Sequence, residues 1–234
     1  MRAGILIAAV ALLVAGASSL ATLSIRGDAG KVAMAQEEST ESAVVKLPSP
    51  KLDGPTSVEK ALSQRRSLRT YKDEALSLAE VSQILWAAQG ITEAKSGKRT
   101  APSPRASYLL ELYLISGDVS GLPQGMYRYQ PEGHGLLEIA GGDVKAKLFE
   151  AAGQAPIKGA PAALVFTGDT ERSRTPDMMN LEAGHAAQNV YLQAVSLELG
   201  TVVMAGFKPE EVAKALNIPP EEKVIYIMPV GRKQ

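Results

Sequence analysis

Beyond residue 108 the chain breaks into short apolar or alternating runs bounded by glycine and proline: 109–116 (LLELYLIS), 125–129, 136–140, 162–167, 201–204 and 224–230. Runs of this length with that punctuation are strands, so the chain must bury a sheet. Between them, 143–152 and roughly 177–199 carry helical patterning, the longer stretch ending at Gly200. Pro209-Glu210-Glu211 opens another helix, with proline in the first turn and acids near the positive pole. Hairpin-like strands over 125–140, followed by alternating strands and helices, predict an α+β domain with a central mixed sheet and one long buried helix.

Two helix starts are legible upstream. Thr56-Ser57-Val58-Glu59 fits the capping box, in which a hydroxyl and a glutamate three residues on satisfy each other's orphan backbone donors, and predicts a helix to about Arg65. Ser77-Leu78-Ala79-Glu80 repeats the device. Behind it Leu78, Val81, Leu85 and Ala88 recur at helical spacing, and Gly90 is placed for a left-handed stop.

The N-terminus obeys a different rule. Residues 4–25 carry no charge, are bracketed by Arg2 and Arg26, and are long enough to cross a hydrocarbon core of about 30 Å as a helix. A cleaved signal peptide and an uncleaved anchor both fit; either exports the folded part from the cytoplasm. Residues 27–55, with Pro48, Pro50 and Pro55 and no sustained period, read as a linker. The expected organisation is a signal peptide or membrane anchor over 1–26, a linker over 27–55 and one domain over 56–234.

Composition excludes several chemistries. Lys plus Arg at 25 balance Asp plus Glu at 25, so no global field draws the chain to nucleic acid, and membrane contact is expected only through the N-terminal segment. With no cysteine there is no thiolate nucleophile, disulfide or iron–sulfur cluster, and two histidines, His134 and His185, cannot make an all-histidine metal site. The phosphate-loop, dinucleotide-fold and nucleophile-elbow signatures are absent.

The strongest local charge is Gln64-Arg65-Arg66-Ser67-Leu68-Arg69-Thr70-Tyr71. Guanidinium forks and short hydroxyls suit a phosphate, although a solvated basic helix end has the same composition. Arg99-Thr100-Ala101-Pro102-Ser103 forms a loop before a strand, able to hold a polar ligand edge or simply to turn. Ala205-Gly206 ends a run where missing bulk would let a flat ligand reach the backbone. Glu182, His185 and Asn189 fall near one helix face; a catalytic Glu–His pair is conceivable there, but polar groups of a core helix bonded to neighbouring backbone are the better reading.

Taken in order, RRSLRTY (65–71), RTAPSPRASYLLELYLI (99–115), LPQGMYRY (122–129), EAGHAAQNVYLQA (182–194), AGF (205–207) and MPVGR (228–232) resemble the nitroreductase family of flavoproteins, most of all the SagB-type dehydrogenases. The resemblance implies an α+β homodimer with a central mixed sheet flanked by helices, holding FMN at the subunit interface. It implies hydride transfer to or from a small organic substrate, with NAD(P)H or another electron donor. Arg65, Ser67 and Arg69 would bind the phosphate and ribityl chain, with Arg66 adding backbone or charge. Pro102 and Ser103 would reach the flavin from the partner subunit, Ala205 and Gly206 would lie beside its ring, and Arg232 would close the phosphate site. The chain departs from the family where Pro104 and Arg105 replace a small residue and glycine, and where Glu171–Asp177 lacks the Lys-Tyr pair of azoline-forming relatives. A module that keeps the fold and holds a flavin or other ligand without turnover is the alternative.

Overall fold

The computed structural model describes residues 44–234; the run read as a signal or anchor, and the linker up to residue 43, lie outside them. In chain order the elements are β1 (Val44–Lys46), α1 (Val58–Gln64), β2 (Leu76–Ser77), α2 (Leu78–Gln89), β3 (Ile91–Glu93), β4 (Lys98–Arg99), β5 (Leu110–Ser116), β6 (Val119–Ser120), β7 (Gly125–Gln130) and β8 (Gly135–Gly141). There follow α3 (Val144–Ala152), α4 (Ala155–Gly159), β9 (Ala162–Asp169), α5 (Pro176–Ser196), β10 (Leu199–Thr201), α6 (Pro209–Leu216) and β11 (Glu222–Arg232).

Seven strands form one sheet in the order β1-β8-β7-β5-β9-β11-β10. The α+β class is as expected, but the sheet is antiparallel at every pairing rather than mixed. Strands β9 and β10 do run the same way, joined by α5 as a crossover, which is the pattern that suggests a mixed sheet. β11 inserts between them, antiparallel to both.

Both faces of the sheet are covered, so its central strand is apolar on both sides. Leu110, Leu112 and Leu114 of β5 pack with Val81, Ile84 and Leu85 of α2 and with Ala183, Ala186, Ala187 and Val190 of α5. Tyr113 and Ile115 turn the other way, toward Val144 and Leu148 of α3 and Val212 and Leu216 of α6. The small residues of α5 let this long helix lie close against the sheet, which matters because α5 later supports the site.

Helix starts follow their caps with one shift. Ser77 and Glu80 form the reciprocal capping box at α2, whereas α1 is capped by Ser57, accepting from Lys60 N–H, rather than by Thr56. Gly90 is not left-handed: its φ of −64° and ψ of 145° are open to any residue. Glycine is needed there for space, since an added Cβ would lie 2.1 Å from Trp86 Cδ1 and 2.7 Å from the Trp86 carbonyl oxygen. The turn expected at Gly200 is made by Glu198, at φ 58°, and Gly200 lies within β10.

Residues 44–55, read from composition as the end of the linker, lie along the domain. β1 pairs with β8, Ser82 Oγ donates to the Pro48 carbonyl at 2.6 Å, and the Gln83 side chain accepts from Lys51 N–H and donates to its carbonyl. His134 closes the clasp, with Nε2 2.7 Å from Ser82 Oγ and 3.1 Å from the Pro48 carbonyl, and Nδ1 2.8 Å from the Tyr129 hydroxyl. Burial lowers the His134 pKa below its ordinary 6.5, against the pull of the Pro48 carbonyl.

Two expectations follow. Gly90→Ala should cost about 1–3 kcal/mol by overpacking against Trp86, read as a lower midpoint in urea unfolding. Because the folded state favours neutral His134, its contribution to stability is complete above the ordinary histidine pKa and diminishes as pH falls below it. His134→Asn should therefore flatten the stability profile between pH 7 and about pH 5, measured by thermal melts across that range.

Candidate functional site

Arg65 caps the end of α1, its N–H bonded to the Ala61 carbonyl. The chain then turns onto the edge of the large sheet. Ser67 pairs with Thr201 in a parallel bridge, and Leu68 N–H donates to the Thr201 carbonyl at 2.9 Å. Leu68 fits over Gly200, its Cδ1 3.0 Å from where a Cβ would stand, so a side chain at 200 would push the segment away. Below, buried Tyr71 donates its hydroxyl to the Leu68 carbonyl at 2.9 Å and lies 3.3 Å from the Pro229 carbonyl.

Tyr191 of α5 joins these parts. Its hydroxyl accepts from Val203 N–H at 2.8 Å and lies 3.1 Å from Ser67 Oγ, while the Arg65 guanidinium stacks over its ring at 5.0 Å. Beyond Val203, Met204 exchanges both main-chain bonds with Ile227. The chain then presents Ala205 and Gly206, both exposed, with the Gly206 carbonyl held by Gln154 Nε2 at 2.7 Å.

The predicted residues separate into three groups. Arg65 and Ser67 converge with the strand that leads to Ala205 and Gly206. Arg69 is exposed beside them, and Arg66 folds back so that Nη1 donates to the Ser63 and Arg65 carbonyls. Among the described residues, Arg65, Arg66 and Arg69 have no carboxylate within 4.0 Å, whereas Arg172 has one and Arg128 and Arg232 have two each.

Pro102 and Ser103 lie elsewhere, in a loop bonded to side chains of α5. Ser103 Oγ donates to Glu182 Oε2 at 2.8 Å, His185 Nδ1 lies 3.1 Å from the Pro102 carbonyl, and Asn189 Nδ2 donates to the Thr100 carbonyl. Glu182, fully buried, also accepts from Leu109 N–H. The polar face of α5 thus anchors a loop, as the backbone-bonding reading expects. Beyond Ser103 a single tight turn holds Arg105 at φ 59° and Ala106 at φ 54°. Pro104 and Arg105, where the sequence departs from the pattern it resembles, lie at the start of this turn, and only Arg105 of the two is left-handed.

Arg232, expected to close a phosphate site, is engaged by carboxylates. Its side chain makes a two-pronged pair with Glu80, Nη1 to Oε1 at 2.8 Å and Nη2 to Oε2 at 3.1 Å, and Nε lies 3.4 Å from Glu74. The guanidinium therefore braces the capping box of α2. Burial by itself would raise the Glu80 carboxyl, but the Ser77 N–H, Arg232 and the Ser77 hydroxyl outweigh it and the pKa falls below 4.5. Tyr191 and Gln154, in contrast, carry no local sequence signal, because both act on residues distant in the chain.

The site thus has, at one end, a hydroxyl and guanidiniums that meet no carboxylate among the described residues, and bare, exposed main chain at the other. Such a donor set fits an anionic group attached to a flat body, and the fold belongs to a known class. The sequence pattern of the nitroreductase family matches residues 62–232, and the chain belongs to that family. A protein of Methanocaldococcus jannaschii, provisionally named a nitroreductase, is 41% identical over 183 residues, spanning 75% of this chain and 91% of its own. A crystal structure of a provisionally named nitroreductase from Ralstonia eutropha superposes with a TM-score of 0.72 at 28% identity, covering 82% of this chain and 90% of that one. Another from Desulfovibrio desulfuricans, solved in complex with FMN, shares the fold at a TM-score of 0.58 and 23% identity over 76% of this chain and 87% of its own. The protein has the nitroreductase fold, and its relatives place it among the oxidoreductases.

Arg232→Ala should cost about 1–2 kcal/mol, between the values for exposed and buried pairs, with a steeper effect at neutral pH than in acid, where Glu80 is protonated. Chemical denaturation of the variant at both pH values checks this.

Proposed function

We propose that this protein is an FMN-dependent oxidoreductase of the SagB-type dehydrogenase branch, exported and homodimeric, acting on a small organic substrate with NAD(P)H or another electron donor. The observation that carries the reading is the clustering of Arg65, Arg66 and Arg69, free of carboxylates among the described residues, on the sheet edge that leads to exposed Ala205 and Gly206. Arg65 and Arg69 would hold the phosphate, since guanidinium stays charged at any working pH and offers forked donors. Ser67 adds a hydroxyl. Ala205 and Gly206, lacking bulk, would let the ring lie against main chain, where a backbone N–H stabilises developing negative charge. Arg232 has no part in this assignment. Bound FMN would supply the two-electron transfer; the protein supplies position and electrostatics.

Exposed Leu181 on α5 and the polar anchoring of Pro102 and Ser103 support a dimer in which that loop reaches the partner's site. Export rests on the uncharged run at 4–25. The RTAPS and LELYLI runs support the branch, while the stretch Glu171–Asp177 supports no azoline formation.

One observation favours a second reading, a flavin-holding module without turnover: Pro104 and Arg105 alter the loop beside the expected ring edge. Both readings meet the same experiment. The full-length protein should purify yellow or take up FMN, and Arg65→Ala and Arg69→Ala should each weaken FMN about tenfold or more, the worth of a charge-assisted hydrogen bond. Bleaching by NADH or NADPH and recovery with a quinone or nitroarene selects the enzyme over the module. A colourless protein that ignores FMN overturns both.

A further inference from the structure

Tyr191 occupies a position that the phosphate assignment leaves unexplained. Its phenol has one hydrogen to give and lone pairs to accept. The Val203 N–H can only donate, and it does so to the Tyr191 oxygen at 2.8 Å. The remaining contact, to Ser67 Oγ at 3.1 Å, is open in direction by geometry alone. With Val203 N–H already donating to the phenol oxygen, we assign the phenol hydrogen to Ser67 Oγ. Ser67 then accepts from Tyr191, and its own hydrogen is left to point outward from an exposed position. The ring of Tyr191 meanwhile lies under the Arg65 guanidinium at 5.0 Å, which limits the directions in which that fork can turn.

We propose that Tyr191 is a positioning residue for phosphate recognition: it orients the Ser67 hydroxyl as an outward donor and seats Arg65 beside it, while tying both to the main chain at Val203. This rests on the reading of the site as one for FMN. The hydroxyl aligns the anion-binding end with the strand leading to Ala205 and Gly206, so a ligand with a phosphate and a flat ring meets both ends in register. Chains of hydrogen bonds also polarise one another, so a Ser67 that accepts from Tyr191 donates more strongly.

The test compares FMN with riboflavin, which has the same ring and ribityl chain but no phosphate, by fluorescence titration of the full-length protein stripped of flavin. Tyr191→Phe keeps the stacking ring and removes the hydroxyl. It should lower FMN affinity about tenfold, the size of one hydrogen bond to a charged group, and leave riboflavin affinity unchanged. Ser67→Ala should show the same selective loss, and the double variant should lose no more than either single one, as for groups acting through one bond. An equal loss for both flavins, or fully additive losses in the double variant, overturns the proposal, since a merely structural tyrosine would affect the two flavins alike. Should Tyr191→Phe fold poorly, Ser67→Ala still decides: an unaltered preference for FMN means that the Ser67 hydrogen does not face the phosphate. A wild-type protein that binds neither flavin overturns the functional reading itself, whereas one that binds FMN with an unaltered preference in Tyr191→Phe overturns only the role of Tyr191.

Discussion

The bond from Leu68 N–H to the Thr201 carbonyl holds the two halves of the candidate site together. β10 is the last strand of the large sheet, paired on one side to β11, and an edge strand presents main-chain groups that need partners. The chain leaving α1 provides them. Because Ser67 pairs with Thr201, the arginine-rich segment is held at the root of the strand that runs on to Ala205 and Gly206. Gly200 permits this closeness, and Tyr191 reinforces it from α5.

Charge pairing then sorts arginines that look alike in the sequence. Arg232 meets Glu80 and Glu74, Arg172 meets Asp169, and Arg128 meets Glu111. These guanidiniums brace the fold. Arg65, Arg66 and Arg69 are left without carboxylates among the described residues, and stay near water, so leaving them unpaired costs little until an anion arrives. The distinction is one of surroundings, since a guanidinium with a bidentate carboxylate has its forked donors already satisfied.

The loop at 100–106 shows how a polar helix face can hold a neighbouring segment in place. Glu182, His185 and Asn189 each bond to that loop or to the strand after it. With these anchors in place, the left-handed turn at Arg105 and Ala106 is held despite carrying side chains there. Non-glycine residues in that region persist only where the neighbouring structure fixes them. Pro104 and Arg105 are accommodated in this turn while Pro102 and Ser103 remain bonded to α5.

Local signals in the chain determined the elements themselves: the capping box at Ser77 and Glu80, the apolar runs that became β5, β7, β9 and β11, and the small-residue helix α5, all of which depend on neighbours a few residues away. The ordered motifs also carried the family. What the sequence left open depends on contacts between distant segments. The insertion of β11 between β9 and β10 made the sheet antiparallel, pairing with β8 drew residues 44–46 out of the apparent linker, and the steric demand of Trp86, rather than a left-handed turn, explains Gly90. Only the fold could assign Arg232 to Glu80 and bring Tyr191 to Ser67, because a guanidinium or a phenol has the same local sequence whether its partner is a ligand or a residue more than a hundred positions away.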